Sequence, residues 1–434
     1  MVEWVDWHTI EAGVFSRLQN LVIIKCPKLV GHLPKNVPSL VRLEIRGCPK
    51  LVGSLPRTTS MRKLDLVNCQ EVQLEWQDVT SIETLQISGF SNLEEFAREL
   101  VTLTNLEALS VGECPRLLSF PEGMMSGSDL KCLYVWSCPK LVLPLCLEMS
   151  HCFTSLESLT LFDCWSLKSL PLGLLPKLSY LHIKNCENFE TLLIPDGIEL
   201  QNLHYLYIWG PVNMVSFPCR ELPAPNLYSL FLWDCGKLKA LPERMHTLLP
   251  NLEQLLLHRC PEIESFPEGG LPSKLKELSI KNCKKLVRGR RDWGLQTLPS
   301  LKYFTLRGES EDEMESFPEE GLLPSTLTWL TILRMPNLKS LNKTGLQFLG
   351  SLQYIEIQNC RQLQSLPEEG LSTSLIALQI KDCPLLESRY HREEGKDWRK
   401  IAHVPAINMD GEGFIDQVYL GPVPDEFPGA SYIG

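Results

Sequence analysis

Leu40-Val41-Arg42-Leu43-Glu44-Ile45-Arg46-Gly47-Cys48-Pro49-Lys50-Leu51 is one copy of a phrase, Leu-x-x-Leu-x-Ile-x-x-Cys-Pro-x-Leu, that returns along nearly all of this 434-residue chain. It recurs as Leu156, Leu159, Leu161, Cys164 and Leu167, and later as Leu352, Ile355, Ile357, Cys360 and Leu363. Sixteen copies begin at Leu18, Leu40, Met61, Ile82, Leu106, Leu130, Leu156, Leu178, Leu203, Leu227, Leu252, Leu275, Leu301, Leu327, Leu352 and Leu375, with spacings of 21 to 26 residues. Within each copy the apolar residues alternate with polar ones toward the end of the phrase, the period-2 sign of a strand with one buried face. The strand is short and the next arrives one period later, so successive strands must stack in parallel.

A phrase of this period and leucine phase is a leucine-rich repeat. The expected fold is an α/β repeat solenoid, a horseshoe with a parallel inner sheet and a mostly irregular outer face. The return stretches carry a second apolar pair and a proline (Leu117, Phe120, Pro121; Ile263, Phe266, Pro267). Proline fixes φ and removes a donor, so this limb is not expected to form a long helix. Pro318 to Leu322 and Pro367 to Leu371 add Pro-Glu-Glu-Gly-Leu turns. Half of each repeat's burial is against its neighbours, so stability belongs to the array and not to one copy.

Four segments follow from the phase. Residues 1–17 form an irregular lead-in or partial repeat with no visible cap, residues 18–386 the solenoid, residues 387–411 a C-terminal cap, and residues 412–434 a loose Gly- and Pro-rich tail. In the cap, Glu387 to His403 reads as a short charged helix with Trp398 and Ile401 on one side, and Ile407 and Met409 alternate like one more strand.

A net charge of −10 argues against general nucleic-acid binding, which needs concentrated Lys and Arg. No apolar run reaches the length of a membrane helix, and the acidic Met1-Val2-Glu3-Trp4-Val5-Asp6 does not read as a secretory signal. Twelve of the sixteen cysteines (Cys26, Cys48, Cys69, Cys114, Cys138, Cys164, Cys186, Cys235, Cys260, Cys283, Cys360, Cys383) stand eight residues after the first leucine of their copy. A residue locked to the repeat phase is a packing element. A row of equivalent thiols offers no unique disulfide pairing and cannot converge tetrahedrally on a metal. Buried free thiols in a reducing, cytoplasmic compartment are expected, with no metal and no cofactor.

The Cys-Pro-x-Leu phrasing, the Leu-Pro-Glu-Glu-Gly-Leu turns and the ending from Cys383-Pro384-Leu385-Leu386-Glu387 to Gly395-Lys396-Asp397-Trp398-Arg399-Lys400-Ile401-Ala402-His403-Val404-Pro405 resemble the C-terminal part of plant coiled-coil, nucleotide-binding, leucine-rich-repeat disease resistance proteins. The resemblance covers residues 1 to 411. It implies an arm that acts in defence by protein recognition, sensing a pathogen effector or a guarded host protein, or restraining the receptor's own nucleotide-binding domain. That family carries its nucleotide switch before the repeats, and this chain holds no Gly-x-x-x-x-Gly-Lys-Ser/Thr loop, so nucleotide binding does not carry over. The uncapped start fits a chain cut from something longer. The alternative is an F-box-type substrate adaptor of a ubiquitin ligase, which also uses Cys-containing repeats.

Residues two, four and six after each first leucine should face the concave side. Early copies place Arg42, Glu44, Arg46, Lys63 and Asp65 there. From the sixth copy the positions turn aromatic: Tyr134, Trp136, Phe162, Tyr180 and His182, then Tyr205, Tyr207, Trp209, Phe231 and Trp233, bordered by Leu256 and His258. Strands favour aromatics, which cover their neighbours by cross-strand packing. Exposed aromatic clusters also mark interaction surfaces, and these residues are the candidate partner-binding site. Lys284, Lys285, Arg288, Arg290 and Arg291, with Lys281, form a basic run, a candidate interdomain contact or simply a solvated loop. Glu309, Glu311, Asp312, Glu313 and Glu315 form an acidic insertion. The nine histidines show no Cys-His, Ser-His-Asp or metal-ligand spacing, so no enzyme is expected.

Overall fold

In most copies of the phrase among the described residues a turn precedes the buried first leucine: the Leu227 N–H donates to the Ala224 carbonyl at 3.0 Å and the Leu252 N–H to the Leu249 carbonyl at 3.0 Å. A five-residue strand follows two positions later. The computed structural model describes residues 15–73, 81–96, 98–121, 129–143, 153–308, 314–367, 371–391 and 395–409. The chain divides into two compact units between Leu203 and His204. The first holds the strands Asn20–Ile24, Arg42–Arg46, Lys63–Val67, Thr84–Ser88, Ala108–Gly112, Cys132–Trp136, Ser158–Phe162 and Tyr180–Lys184. The second holds Tyr205–Trp209, Ser229–Trp233, Gln254–His258, Glu277–Lys281, Tyr303–Arg307, Trp329–Leu333, Tyr354–Gln358, Ala377–Lys381 and the short Ala406–Asn408.

Within each unit neighbouring strands pair in parallel and in register, Leu43 opposite Leu64 in the first and Leu230 opposite Leu255 in the second. Each unit is therefore a leucine-rich-repeat solenoid. Register follows from burial: Leu40, Leu43 and Ile45 are fully enclosed, as are Leu227, Leu230 and Leu232. Enclosing one such side chain contributes about 1.5–3 kcal/mol, and a one-residue slip would turn the whole set outward.

The strand ends in a left-handed residue, seven positions after the first leucine. Lys25, Asn68, Glu113, Asp163, Asn185, Asn282, Arg334, Asn359 and Asp382 all have φ between 49° and 56°. Asn and Asp tolerate this backbone better than most residues. Gly89 occupies the same position, where a Cβ would fall 1.9 Å from Asn68 Oδ1. The next residue is the cysteine. Its carbonyl accepts the Leu N–H three residues on, as from Leu51 to Cys48 at 3.2 Å and Leu238 to Cys235 at 3.2 Å. Cys-Pro-x-Leu is thus a β-turn with proline at its favoured second position. The thiol donates backward to the preceding repeat, Cys69 Sγ to the Ile45 carbonyl at 3.3 Å and Cys283 Sγ to Leu257 at 3.4 Å. All twelve in-register cysteines are free, and all but the half-buried Cys26 are buried. Burial pushes the Cys69 thiol up to about 11, and so holds it protonated.

The return limbs contain short strands such as Leu51–Ser54 and Ser169–Pro171, single 3-10 turns, and brief helices at Met245–Leu248, Lys284–Arg288, Lys343–Gln347 and Pro384–Tyr390. The last corrects the expected helix over Glu387 to His403. It starts earlier, with Pro384 in its first turn, and stops at Tyr390; a separate 3-10 turn covers Trp398–Lys400. Gly395 sits in the break, where a Cβ would lie 2.6 Å from the Arg389 carbonyl. Arg389 and Lys400 both pair with Asp397, and the Leu366 N–H donates to the buried Tyr390 hydroxyl at 3.2 Å. Ala406–Asn408 then pairs in parallel with the strand Ala377–Lys381, Ile407 opposite Leu378. The tail 412–434 and the start of the lead-in lie outside the described residues.

Candidate functional site

Alternation places the concave residues on the opposite side of each strand from Leu, Ile and Val. Two surfaces result, one in each unit.

In the first unit, Tyr134 stacks on Trp136 with centroids 4.8 Å apart and meets the Phe162 edge at 5.5 Å. Phe162 packs edge-on against His182 at 4.7 Å, and Lys184 Nζ stands 5.3 Å from the Phe162 centroid. Gly112, the register partner of Trp136, provides the seat for the indole; a Cβ there would fall 1.8 Å from the ring. Burial pushes Tyr134 up to about 12 and His182 down to about 4, so both are neutral at pH 7.

In the second unit, Trp209 and Trp233 are register partners and stack at 4.6 Å with an 18° interplanar angle. Tyr207 meets the Phe231 edge at 5.9 Å, and Tyr205 lies 5.8 Å from Tyr228. His258 closes the cluster 5.2 Å from both Phe231 and Trp233. Its Nε2 lies 3.0 Å from Ser279 Oγ. Burial, with Lys281 and Arg307 adding, lowers its pKa to about 3.

The rings expected on these strands therefore come together within each unit. Their expected exposure needs correction. Tyr180 and His258 are buried, and the others are half-buried because each ring covers the next. Cross-strand packing and an accessible aromatic surface coexist here.

The basic run is not one patch. Lys281 ends an inner strand and faces the concave side, whereas the Lys284–Arg288 helix lies on the return limb. There Lys285 Nζ pairs with Glu262 at 2.9 Å and Glu264 at 3.0 Å, and Arg290 Nε with Glu319 at 2.6 Å. Arg288 and Arg291 are exposed. Glu309, Glu311, Asp312 and Glu313 lie outside the described residues; Glu315 pairs with Lys339 at 2.5 Å.

The structure adds a further set. Tyr303, Trp329 and Tyr354 form a ladder, with centroids 6.5 Å and then 4.5 Å apart, and Trp329 Nε1 donates to Thr331 Oγ1 at 2.9 Å. All three stand two positions after their first leucine, the register that supplies Tyr180 and Tyr205, so the signal was present. Among the described residues no cluster of His, Cys, Asp and Glu could hold a metal, and no helix is long and apolar enough to cross a membrane.

No family model matches the chain. Over 271 residues it is 36% identical to a putative disease resistance protein of Arabidopsis thaliana, a match covering 62% of this chain and 19% of that protein. It is 26% identical over 200 residues to disease resistance protein RPP4 of Arabidopsis thaliana, covering 44% of this chain and 16% of that one. It is 26% identical over 253 residues to TMV resistance protein N of Nicotiana glutinosa, covering 51% and 21%. The repeat region is thus similar to part of plant disease resistance proteins, and the matches span about a fifth of those relatives' length. Among solved structures, a leucine-rich-repeat protein of Leptospira interrogans aligns with a TM-score of 0.48 and 21% identity, covering 86% of this chain and 90% of that one.

Proposed function

We propose that this chain serves plant defence as an intracellular recognition arm, binding protein through the concave aromatic surfaces. The partner is a pathogen effector, a guarded host protein or a nucleotide-binding switch domain held inactive. The observation that carries this reading is the stacked Trp209–Trp233 pair, backed by Tyr207, Phe231 and His258 on neighbouring strands. Half-buried, pre-packed rings lose little side-chain freedom on binding, and Trp and Tyr dominate interface hot spots. Similarity to disease resistance proteins supplies the biological setting.

The test is co-precipitation of the full chain with the nucleotide-binding domain of a related resistance protein, alongside a ubiquitin-ligase scaffold. The Trp209→Ala/Trp233→Ala double variant is expected to lose at least tenfold in capture of the switch domain while its melting curve stays cooperative. Undiminished capture by a folded double variant would overturn the reading, and capture of the scaffold alone would favour a substrate adaptor.

A further inference from the structure

The first unit also holds a cavity of about 280 Å³ that none of the concave rings lines. It lies between the 3-10 turn Leu172–Leu174 and a second turn, closed by the Ile198 N–H donating to the Pro195 carbonyl at 3.1 Å. The buried Leu175, Leu178, Leu200 and Leu203 form an apolar floor, and the exposed Pro176 and Ile198 stand at the mouth. Packing and hydrogen bonding hold the two turns together. Gly173 lets Pro195 approach, since a Cβ there would fall 2.6 Å from Pro195 Cδ, and Asn202 Nδ2 donates to the Pro176 carbonyl at 2.8 Å. Gly197 turns the chain at φ 76° with no side chain to fill the space, and Ile198 stays 43% exposed beside it.

Size and charge define what such a space accepts. An apolar cavity of about 150 Å³ takes up benzene, so this one has room for two fused rings. Among the described residues that line it, Glu199 is the single ionised group. Its Oε2 accepts from Gln201 Nε2 at 2.5 Å, and no cation among the described residues pairs with it. Lys177 is exposed between Pro176 and Leu178 and does not line the cavity. Ligand sites combine a preformed apolar surface with a few polar groups that fix orientation. Here the polar group is a carboxylate, whose complement is an ammonium.

We propose that this cavity binds a small bicyclic aromatic amine, its rings over Leu175, Leu178, Leu200 and Leu203 and its ammonium against Glu199. The site is separate from the concave surfaces, so its occupation does not depend on capture of a protein partner.

The probe is naphthylethylamine, with neutral naphthylethanol and anionic naphthylacetate as counterparts, each titrated against the full chain by equilibrium dialysis. One amine is expected to bind per chain, about two- to fivefold more tightly than the alcohol, the scale of one exposed ion pair. The acetate should bind most weakly. Glu199→Gln keeps an acceptor for Gln201 and should erase the difference between amine and alcohol. Ile198→Trp should fill the cavity and weaken both ligands at least about tenfold without lowering the melting temperature. Nuclear Overhauser contacts from the naphthyl protons to the Ile198 and Leu200 methyl groups of the parent chain give a reading that needs no variant. Equal binding of amine and alcohol by the parent overturns the amine assignment. Absence of those contacts, indifference to Ile198→Trp in a folded chain, or no binding by the parent overturns the site. Binding of a Gly-flanked Trp-Lys peptide without binding of the amine also overturns the proposal, by assigning the cavity to a partner's side chain.

Discussion

The strands Arg42–Arg46 and Lys63–Val67 in the first unit and Tyr205–Trp209 and Ser229–Trp233 in the second share one backbone, one register and one buried leucine set, yet their concave faces have opposite characters. In the early repeats Arg46 pairs with both Asp65 and Glu44, its Nε lying 2.9 Å from Glu44 Oε1, and its guanidinium donates to Gln86 Oε1 at 3.2 Å. Glu44 and Asp65 keep only 3% and 1% exposure. Those charges close on one another. In the second unit the same positions carry rings whose edges and faces remain half-accessible. A repeat therefore fixes where a side chain stands, and the side chain decides whether the face is closed by ion pairs or keeps its rings half-accessible.

The largest test of that contrast is Arg46→Ala. It leaves Glu44 and Asp65 buried without their shared cation, and breaking such a network costs about 3–5 kcal/mol. Trp209→Ala/Trp233→Ala is expected to cost the fold only about 1–2 kcal/mol, since it removes a half-accessible aromatic pair. Urea unfolding of both variants provides the comparison. Similar losses would show that the two faces contribute alike to the stability of the fold.

Acid sharpens the contrast next. His258, held down to about 3, remains neutral in the fold, whereas an unfolded histidine titrates near 6.5. Between those values the unfolded chain binds more protons. The contribution is thus complete above about pH 6.5 and is lost as pH falls toward the folded value. At pH 5 the loss is about 2 kcal/mol, and His258→Gln should remove it. A His258→Gln variant with the parent's stability profile between pH 7 and pH 5 would contradict this assignment.

Much of this was legible in the chain. The leucine phase gives the strands, the cysteine phase gives buried thiols, and the x positions point to Tyr134, Trp136, Trp209 and Trp233. Where the sequence misled, side-chain reach is the reason. Lys285 and Arg290 look like one basic patch along the chain, but their acids, Glu262, Glu264 and Glu319, arrive from neighbouring return limbs. Tyr303, Trp329 and Tyr354 carry the same register signal as Tyr180 and Tyr205, and strand pairing brings them together as a ladder across three successive repeats. The C-terminal helix was misplaced because charge and length suggest continuity across Gly395, where only a residue without a Cβ fits so close to the backbone.

Gly112→Ala probes the first unit's surface on a smaller scale. Its Cβ would collide with the Trp136 ring, and forcing the indole off its seat should cost about 1–2 kcal/mol. Trp136→Phe in the same background should recover part of that by shrinking the ring. An alanine variant with parental stability and unchanged tryptophan emission would show that the indole does not rest there.

The smallest effect concerns what the two regions share. Glu113 in the first unit and Arg334 in the second both hold φ at 49°, and their N–H groups donate to the next strand, to Trp136 at 3.0 Å and Gln358 at 2.8 Å. Both side chains are exposed, so replacing them removes little packing. Left-handed backbone costs an ordinary L-residue about 1–2 kcal/mol, part of which glycine returns through its greater freedom when unfolded. Glu113→Gly and Arg334→Gly should therefore each raise stability by about 0.5 kcal/mol, by the same amount despite their different neighbourhoods. Unequal shifts in urea midpoint would mean that the concave residues, and not the backbone alone, set the strain at the strand end.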